Sequence, residues 1–218
     1  MRYLFVLSVF SAMALSAPAI AQDTTLTAFP MTIERACRGG SANIYDECGD
    51  QHALFKAALA EANRRGKVLL VSYGAEWCIW CHVFHDYVKG VSGSFTHTFS
   101  DPADVTRDTA TMFETPTGQA EAEATALASY AAESFVLVHL EMRHARGADE
   151  AVASTGFDPN DVQWLPFVFT VSPEGEFGAS LDHDTVESRR EYLFWFRGYQ
   201  REALMRELER MRNAALLK

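Results

Sequence analysis

Basic residues are scarce in this chain: 19 Lys and Arg stand against 29 Asp and Glu, for a net charge of −10 at pH 7. Nucleic acids and anionic membranes both require a basic surface, so this balance argues against either as a partner. Long apolar runs are also lacking. The run from Leu4 to Leu15 is too short for a comfortable membrane span, and no other segment approaches the roughly 20 residues such a span requires. Cysteine is limited to four residues, but these fall in two close pairs, Cys37 with Cys48 and Cys78 with Cys81.

The apolar run instead fits an export signal. Arg2 supplies a positive start, and Ala19-Ile20-Ala21 is the small-x-small pattern that a signal peptidase cuts after. The expectation is a signal peptide over residues 1–21, cut after Ala21, and a periplasmic or secreted protein with no stable membrane insertion after cleavage. A retained N-terminal anchor is the alternative. In an oxidising compartment paired cysteines are disulfides by default. With 48% apolar residues, the chain beyond residue 21 fits one domain with decorations better than two full domains.

Residues 22–48 have no regular pattern. They hold Cys37 and Cys48, which close a loop of about a dozen residues and, if bridged, stabilise it by about 2.5–3 kcal/mol. A structural clip is expected there, with a second redox pair as the alternative. From Asp50 to Arg65 the apolar positions Ala53, Leu54, Ala57, Ala58 and Ala62 repeat at helical spacing, and Gly66 stands where a helix stops. KVLLVSY (67–73) reads as a buried strand, Gly74-Ala75 turns the chain, and a helix then runs to about Lys89. Residues 90–117 are rich in Gly, Ser, Thr, Asp and Pro without a sustained period; loops of that length are usually functional or disordered. A helix over Gln119 to Ser134 leads into a second buried strand, FVLVHLEM. A short helix is placed at Asp149 to Thr155. WLPFVFTVSPEGEFGAS reads as two strands joined by the Pro-Glu-Gly turn at 173–175. EYLFWFR (191–197) fits strand or helix, and Gln200 to Leu217 is an amphipathic helix with Leu204, Leu208 and Met211 inward. Strands alternating with helices and ending in a hairpin predict an α/β sheet of mixed direction.

The segment EWCIWCHVFH, residues 76–85, overlays three chemistries. Cys78 and Cys81 have the spacing of a redox dithiol. Cys78 to His82 also spells the attachment signature of a c-type haem, with His82 as axial ligand. Cys78, Cys81, His82 and His85 lie at i, i+3, i+4 and i+7 on one helix face, but seven residues rise about 10.5 Å, too far for one ion bound at about 2.0–2.3 Å. A copper or zinc site of two or three ligands stays open. For the dithiol, position decides the roles. A cysteine at a helix start faces unpaired N–H groups and the positive end of the dipole, which lowers a thiol pKa from about 8.5 to roughly 3.5–7.5. Cys78 is then the nucleophile, and Cys81, one turn inward, resolves the mixed disulfide.

The strand VLLVSY, the run GAEWCIWC opening a helix, Leu165-Pro166 heading FVFTV and the closing GYQREALMREL together resemble the thioredoxin superfamily. The Cys-x-x-Cys-His form is similar to its secreted members. The resemblance spans roughly residues 50–90 and 119–216. It implies a thioredoxin-like fold, a central mixed sheet flanked by helices, over residues 50–218, with an N-terminal extension over 22–49 and an insertion over 90–118 after the active-site helix. It also implies a thiol–disulfide oxidoreductase needing no cofactor beyond the Cys78–Cys81 pair. Its partners would be protein substrates bearing thiols or disulfides and a redox partner protein. Pro166 would be cis beside the dithiol, with the backbone of Leu165 pairing with an extended substrate. Trp77 and Trp80 would supply an apolar rim, whereas Trp164 belongs more naturally in the core.

The chain departs from that family at two points. Many thioredoxins place a buried acid six residues before the nucleophile to take the resolving thiol's proton; Ser72 stands there. Water, His82 or Glu76 would have to move that proton, with His82 a partly exposed side chain tuning the thiolate and His85 on the helix surface. Ile79 and Trp80 match neither the Gly-Pro of reducing thioredoxins nor the Pro-His of oxidising ones, so the direction of electron flow stays open. A thioredoxin-fold protein that holds copper or a client without turnover is the non-enzyme alternative.

Overall fold

A computed structural model describes residues 25–34, 37–39, 42–93, 95–100, 107–112, 118–188 and 198–218. The expected signal segment and EYLFWFR lie outside these residues.

Asp50 begins the first helix as its sequence suggests. Its carboxylate accepts the Ala53 N–H at 3.0 Å, supplying an acceptor to one of the donors a helix start leaves unpaired. Helix α1 then runs over Gln51–Arg65 and ends at Gly66, whose φ of 64° is the left-handed conformation glycine adopts without steric cost. The buried face of α1 differs from the expected one. Gln51, Phe55, Ala58 and Ala62 point inward, while Ala53 and Ala57 are exposed. Phe55 carries the largest apolar surface on the helix, and burying it together with Ala58 and Ala62 leaves Ala53 and Ala57 outward.

Five strands form the main sheet: β1 (Thr27–Phe29), β2 (Val68–Gly74), β5 (Phe135–Glu141), β6 (Phe167–Val171) and β7 (Phe177–Ser180). Their order is β1-β5-β2-β6-β7. The first three are parallel, with Val68 opposite Phe135 and Gly74 opposite Glu141; β6 and β7 are antiparallel. The fold is therefore mixed α/β, as the alternation of strands and helices predicts. β2 and β5 read as unbroken apolar runs because both faces are covered. Leu69, Val71, Tyr73, Val136 and Val138 face α1 and the short helix α4 (Ala148–Ala153). Val68, Leu70, Phe135 and Leu137 face helices α2 (Ile79–Val88), α3 (Gly118–Ser134) and α6 (Arg201–Leu216). Leu204, Leu208 and Met211 of α6 are all fully buried. A further short helix, α5, covers His183–Val186, so six helices stand among the described residues.

Two elements lie where the sequence shows no regular pattern. β1 joins the sheet edge from within residues 22–48; three residues are too few for a period to register. In the 90–117 segment, β3 (Phe95–Ser100) and β4 (Arg107–Met112) pair antiparallel as a separate ribbon. Both are threonine-rich and poor in apolar residues, so the alternation that marks a half-buried strand is faint. Among the described residues no helix is long and apolar enough to cross a membrane.

Candidate functional site

The site forms where β2 ends and α2 begins, at the carboxyl edge of the two central parallel strands. Cys78 is the N-cap of α2, in extended conformation with φ −78° and ψ 106°, and its Sγ accepts the Cys81 N–H at 3.2 Å. The first sulfur therefore sits where the helix start presents unpaired donors. Cys78 and Cys81 are joined as a disulfide, with Cα atoms 5.3 Å apart. Both sulfurs that a c-type haem would alkylate are bonded to each other in this form. Cys78 is buried and Cys81 fully so. Gly74 makes this approach possible, because a Cβ there would lie 2.5 Å from Cys81 Sγ and 2.8 Å from the Tyr45 hydroxyl.

Tyr45 had no sequence signal as a site residue. It comes from the N-terminal segment and is fully buried in one cluster with Ile44, Cys78 and Cys81. Its hydroxyl lies 3.0 Å from Ser72 Oγ, and burial raises its pKa well above the usual tyrosine value against the opposing Ser72 contact. Glu76 holds this segment in place. Its carboxylate accepts the backbone N–H groups of Ile44 at 3.1 Å and Tyr45 at 3.0 Å, and Asn43 Nδ2 donates at 3.2 Å. Burial raises the Glu76 pKa, while these donors pull it down. The second disulfide, Cys37–Cys48 with Cα atoms 6.2 Å apart, brackets the same segment. Two disulfides fit an oxidising, non-cytosolic environment.

His82 is buried rather than partly exposed. Its Nε2 lies 2.7 Å from the Glu76 carbonyl oxygen and 3.4 Å from its carboxylate, so the ring is tied to the turn that precedes Cys78. His85 is not plain helix surface either: its Nδ1 lies 2.9 Å from Nε2 of the fully buried His139. Desolvation, with His85 next, lowers the His139 pKa well below 6.5. No group of three or more His, Cys, Asp or Glu suited to a metal ion occurs among the described residues.

The aromatic residues divide differently from the expectation. Trp164 is 73% exposed, on the bend that leads into β6, and it is not core. Trp77 is partly exposed beneath the Arg143 guanidinium, 5.6 Å from its ring centre. Trp80 is partly buried and meets Tyr199 edge-on at 5.4 Å. Leu165 packs against the cysteine cluster, and the Leu165–Pro166 peptide bond is cis. The Pro166 carbonyl is engaged by His183 Nε2 at 3.0 Å, and His183 Nδ1 meets Glu187 Oε1 at 3.0 Å. His183 is a second site-supporting residue that carried no sequence signal. No protein-family model matches the chain, and no curated protein matches it significantly.

Proposed function

We propose that this chain is a thioredoxin-like thiol–disulfide oxidoreductase of the periplasm or extracellular space. One observation carries the reading: a disulfide-forming Cys78–Cys81 pair at the start of α2, with Leu165, the residue before Pro166, packed against its cluster. The sheet order, with parallel β5 and β2 flanked by antiparallel β6, is compatible with that fold. In the proposed organisation a cleaved signal over 1–21 precedes an N-terminal extension over 22–49 and the main domain over 50–218, with 90–118 as its insertion.

In the reduced form, the Cys78 thiolate attacks one sulfur of a substrate disulfide. That S–S bond breaks, a mixed disulfide forms at Cys78, and the other substrate sulfur leaves as a thiolate and takes a proton. Cys81 then loses its proton, attacks Cys78 Sγ and releases the second substrate thiol. Two electrons pass from the protein dithiol to the substrate, and the reverse sequence oxidises a substrate dithiol. A redox partner protein resets the pair. Trp77 and Trp80 supply an apolar rim, and the Leu165 backbone meets the extended substrate beside Pro166. Cys37–Cys48 serves as a structural clip, and Glu76 and His82 shape the turn that carries Cys78.

Insulin reduction by dithiothreitol, followed as turbidity, tests the reading with wild type and Cys78→Ser. Wild type should accelerate precipitation and the variant should not. Equal traces would reject the oxidoreductase.

A further inference from the structure

Resolution requires Cys81 to give up a proton, yet Cys81 is fully buried. Glu76, five residues before it, already accepts three hydrogen bonds from residues 43–45, and its role is to hold that segment. The His82 ring is tied by Nε2 to the Glu76 carbonyl oxygen at 2.7 Å. Two buried hydroxyls also stand at the site. Ser72 lies on β2, where a polar side chain in a fully buried strand demands a partner, and it has one in Tyr45. Tyr45 Oη and Cys81 Sγ both border the small space left by the missing side chain of Gly74, at 2.8 and 2.5 Å from where its Cβ would stand. Ile44, Trp80 and Leu165 pack in the same cluster, and the His139 ring meets Tyr45 edge-on at 5.1 Å.

We propose that the Tyr45 hydroxyl is the hydrogen-bond donor that stabilises the Cys81 thiolate during resolution, with Ser72 as the positioning residue that orients it. This rests on the oxidoreductase reading and deepens it. In the disulfide form the Cys81 sulfur is a weak acceptor, and Tyr45 bonds Ser72. When the mixed disulfide forms at Cys78, Cys81 is a thiol. As it ionises, Ser72 Oγ–H donates to Tyr45 Oη, and the phenol O–H turns to the thiolate. Tyr45 keeps its own proton throughout, and burial, which disfavours the phenolate, keeps it a donor at neutral pH. The proton lost by Cys81 ends on the departing substrate sulfur. The Cys78–Cys81 bond forms and the Cys78–substrate bond breaks, so the step balances with no further reactant.

The role is specific to the second half-reaction, which gives a readout that general loosening would not. Reduced protein mixed with dithiobis(nitrobenzoate) releases one coloured thiolate when Cys78 attacks and a second when Cys81 resolves, so stopped flow separates the two steps. Tyr45→Phe keeps the ring and removes only the hydroxyl. A hydrogen bond to a charged acceptor of ordinary strength predicts a second phase slowed about tenfold near neutral pH, with its pH profile displaced upward by about one unit. The first phase should be unchanged. Ser72→Ala, which leaves Tyr45 intact, should shift the second phase in the same direction by a smaller factor. If the second phases of both variants superimpose on wild type across pH, or if first and second phases slow equally, the hydroxyl's role is overturned. A wild-type protein that releases no second thiolate removes the dithiol reading itself, and is distinguished from a normal wild type with unaltered variants.

Discussion

Exchanging Glu76 for Gln removes one charge and changes almost no volume, so it probes what the carboxylate contributes to holding residues 43–45. In the native arrangement Oε2 accepts from Ile44 N and Tyr45 N, and Oε1 from Asn43 Nδ2. Hydrogen bonds to a charged acceptor contribute about 1.5–3 kcal/mol each, against about 0.5–1.5 for neutral pairs. With the Asn43 amide in its native orientation, either setting of the glutamine puts its NH2 against a donor, and the bonds that survive become neutral. Losing one bond and weakening two costs about 3–5 kcal/mol. Relieving the desolvation that raises the Glu76 pKa offsets about 1–2 kcal/mol of that. The expected net loss is about 1–4 kcal/mol, a fall of several degrees in Tm. Urea unfolding of wild type and Glu76→Gln measures it. Hydrogen exchange locates it, because the Ile44 and Tyr45 amides should exchange faster while those of β5 stay protected. Equal stability within about 0.5 kcal/mol, with both amides protected as in wild type, would refute the anchoring argument.

Three further outcomes rest on burial and titration. Tyr45, Tyr73 and Tyr199 are all buried and all have raised pKa values, with desolvation the largest cause in each. Above about pH 10 the unfolded chain ionises these phenols while the folded one does not, so stability should fall by up to about 1.4 kcal/mol per phenol per pH unit. Alkaline denaturation that is flat to about pH 11 would contradict their burial. His139, faced by His85, His82 and Lys89, has its pKa depressed. Stability is therefore lost as pH falls below about 6.5, where only the unfolded state takes up the proton, and His139→Gln should flatten that limb relative to wild type; parallel curves would dismiss the point. Gly74→Ala should cost about 1–3 kcal/mol, because its methyl overlaps Cys81 Sγ and the Tyr45 hydroxyl; an unchanged urea midpoint would show the space to be open.

Much of the frame is legible in the sequence, for reasons that particular residues make plain. β2 and β5 announce themselves because both faces are buried, and Asp50 and Gly66 mark the ends of α1 by chemistry local to each. Legibility fails where a residue's role depends on a distant partner. Gln51 is polar and fully buried because its amide donates to Asp46 O at 2.8 Å and Gly49 O at 3.1 Å and accepts from Glu141 N at 2.9 Å. No pattern within the helix shows that, so apolar spacing alone turns Ala53 inward instead. Tyr45 is decided by Ser72 and Glu76, about thirty residues on, and the serine in an apolar strand is its one trace. His82 reads as an exposed neighbour of the thiols because helical spacing places a side chain on a face without showing what covers it. The cover is the Glu76 turn.

The edge strand β1 and the segment around Tyr45 leave the ribosome first, but what they dock on is made later. Thr27 to Phe29 align with Val136 to Val138, and Tyr45 waits for Glu76. By contrast Cys37 and Cys48 are eleven positions apart, and both emerge from the ribosome before Cys78 does. The Cys37–Cys48 bond can therefore close while the second pair is still enclosed. The order of the four cysteines along the chain thus favours the native pairing as the chain emerges.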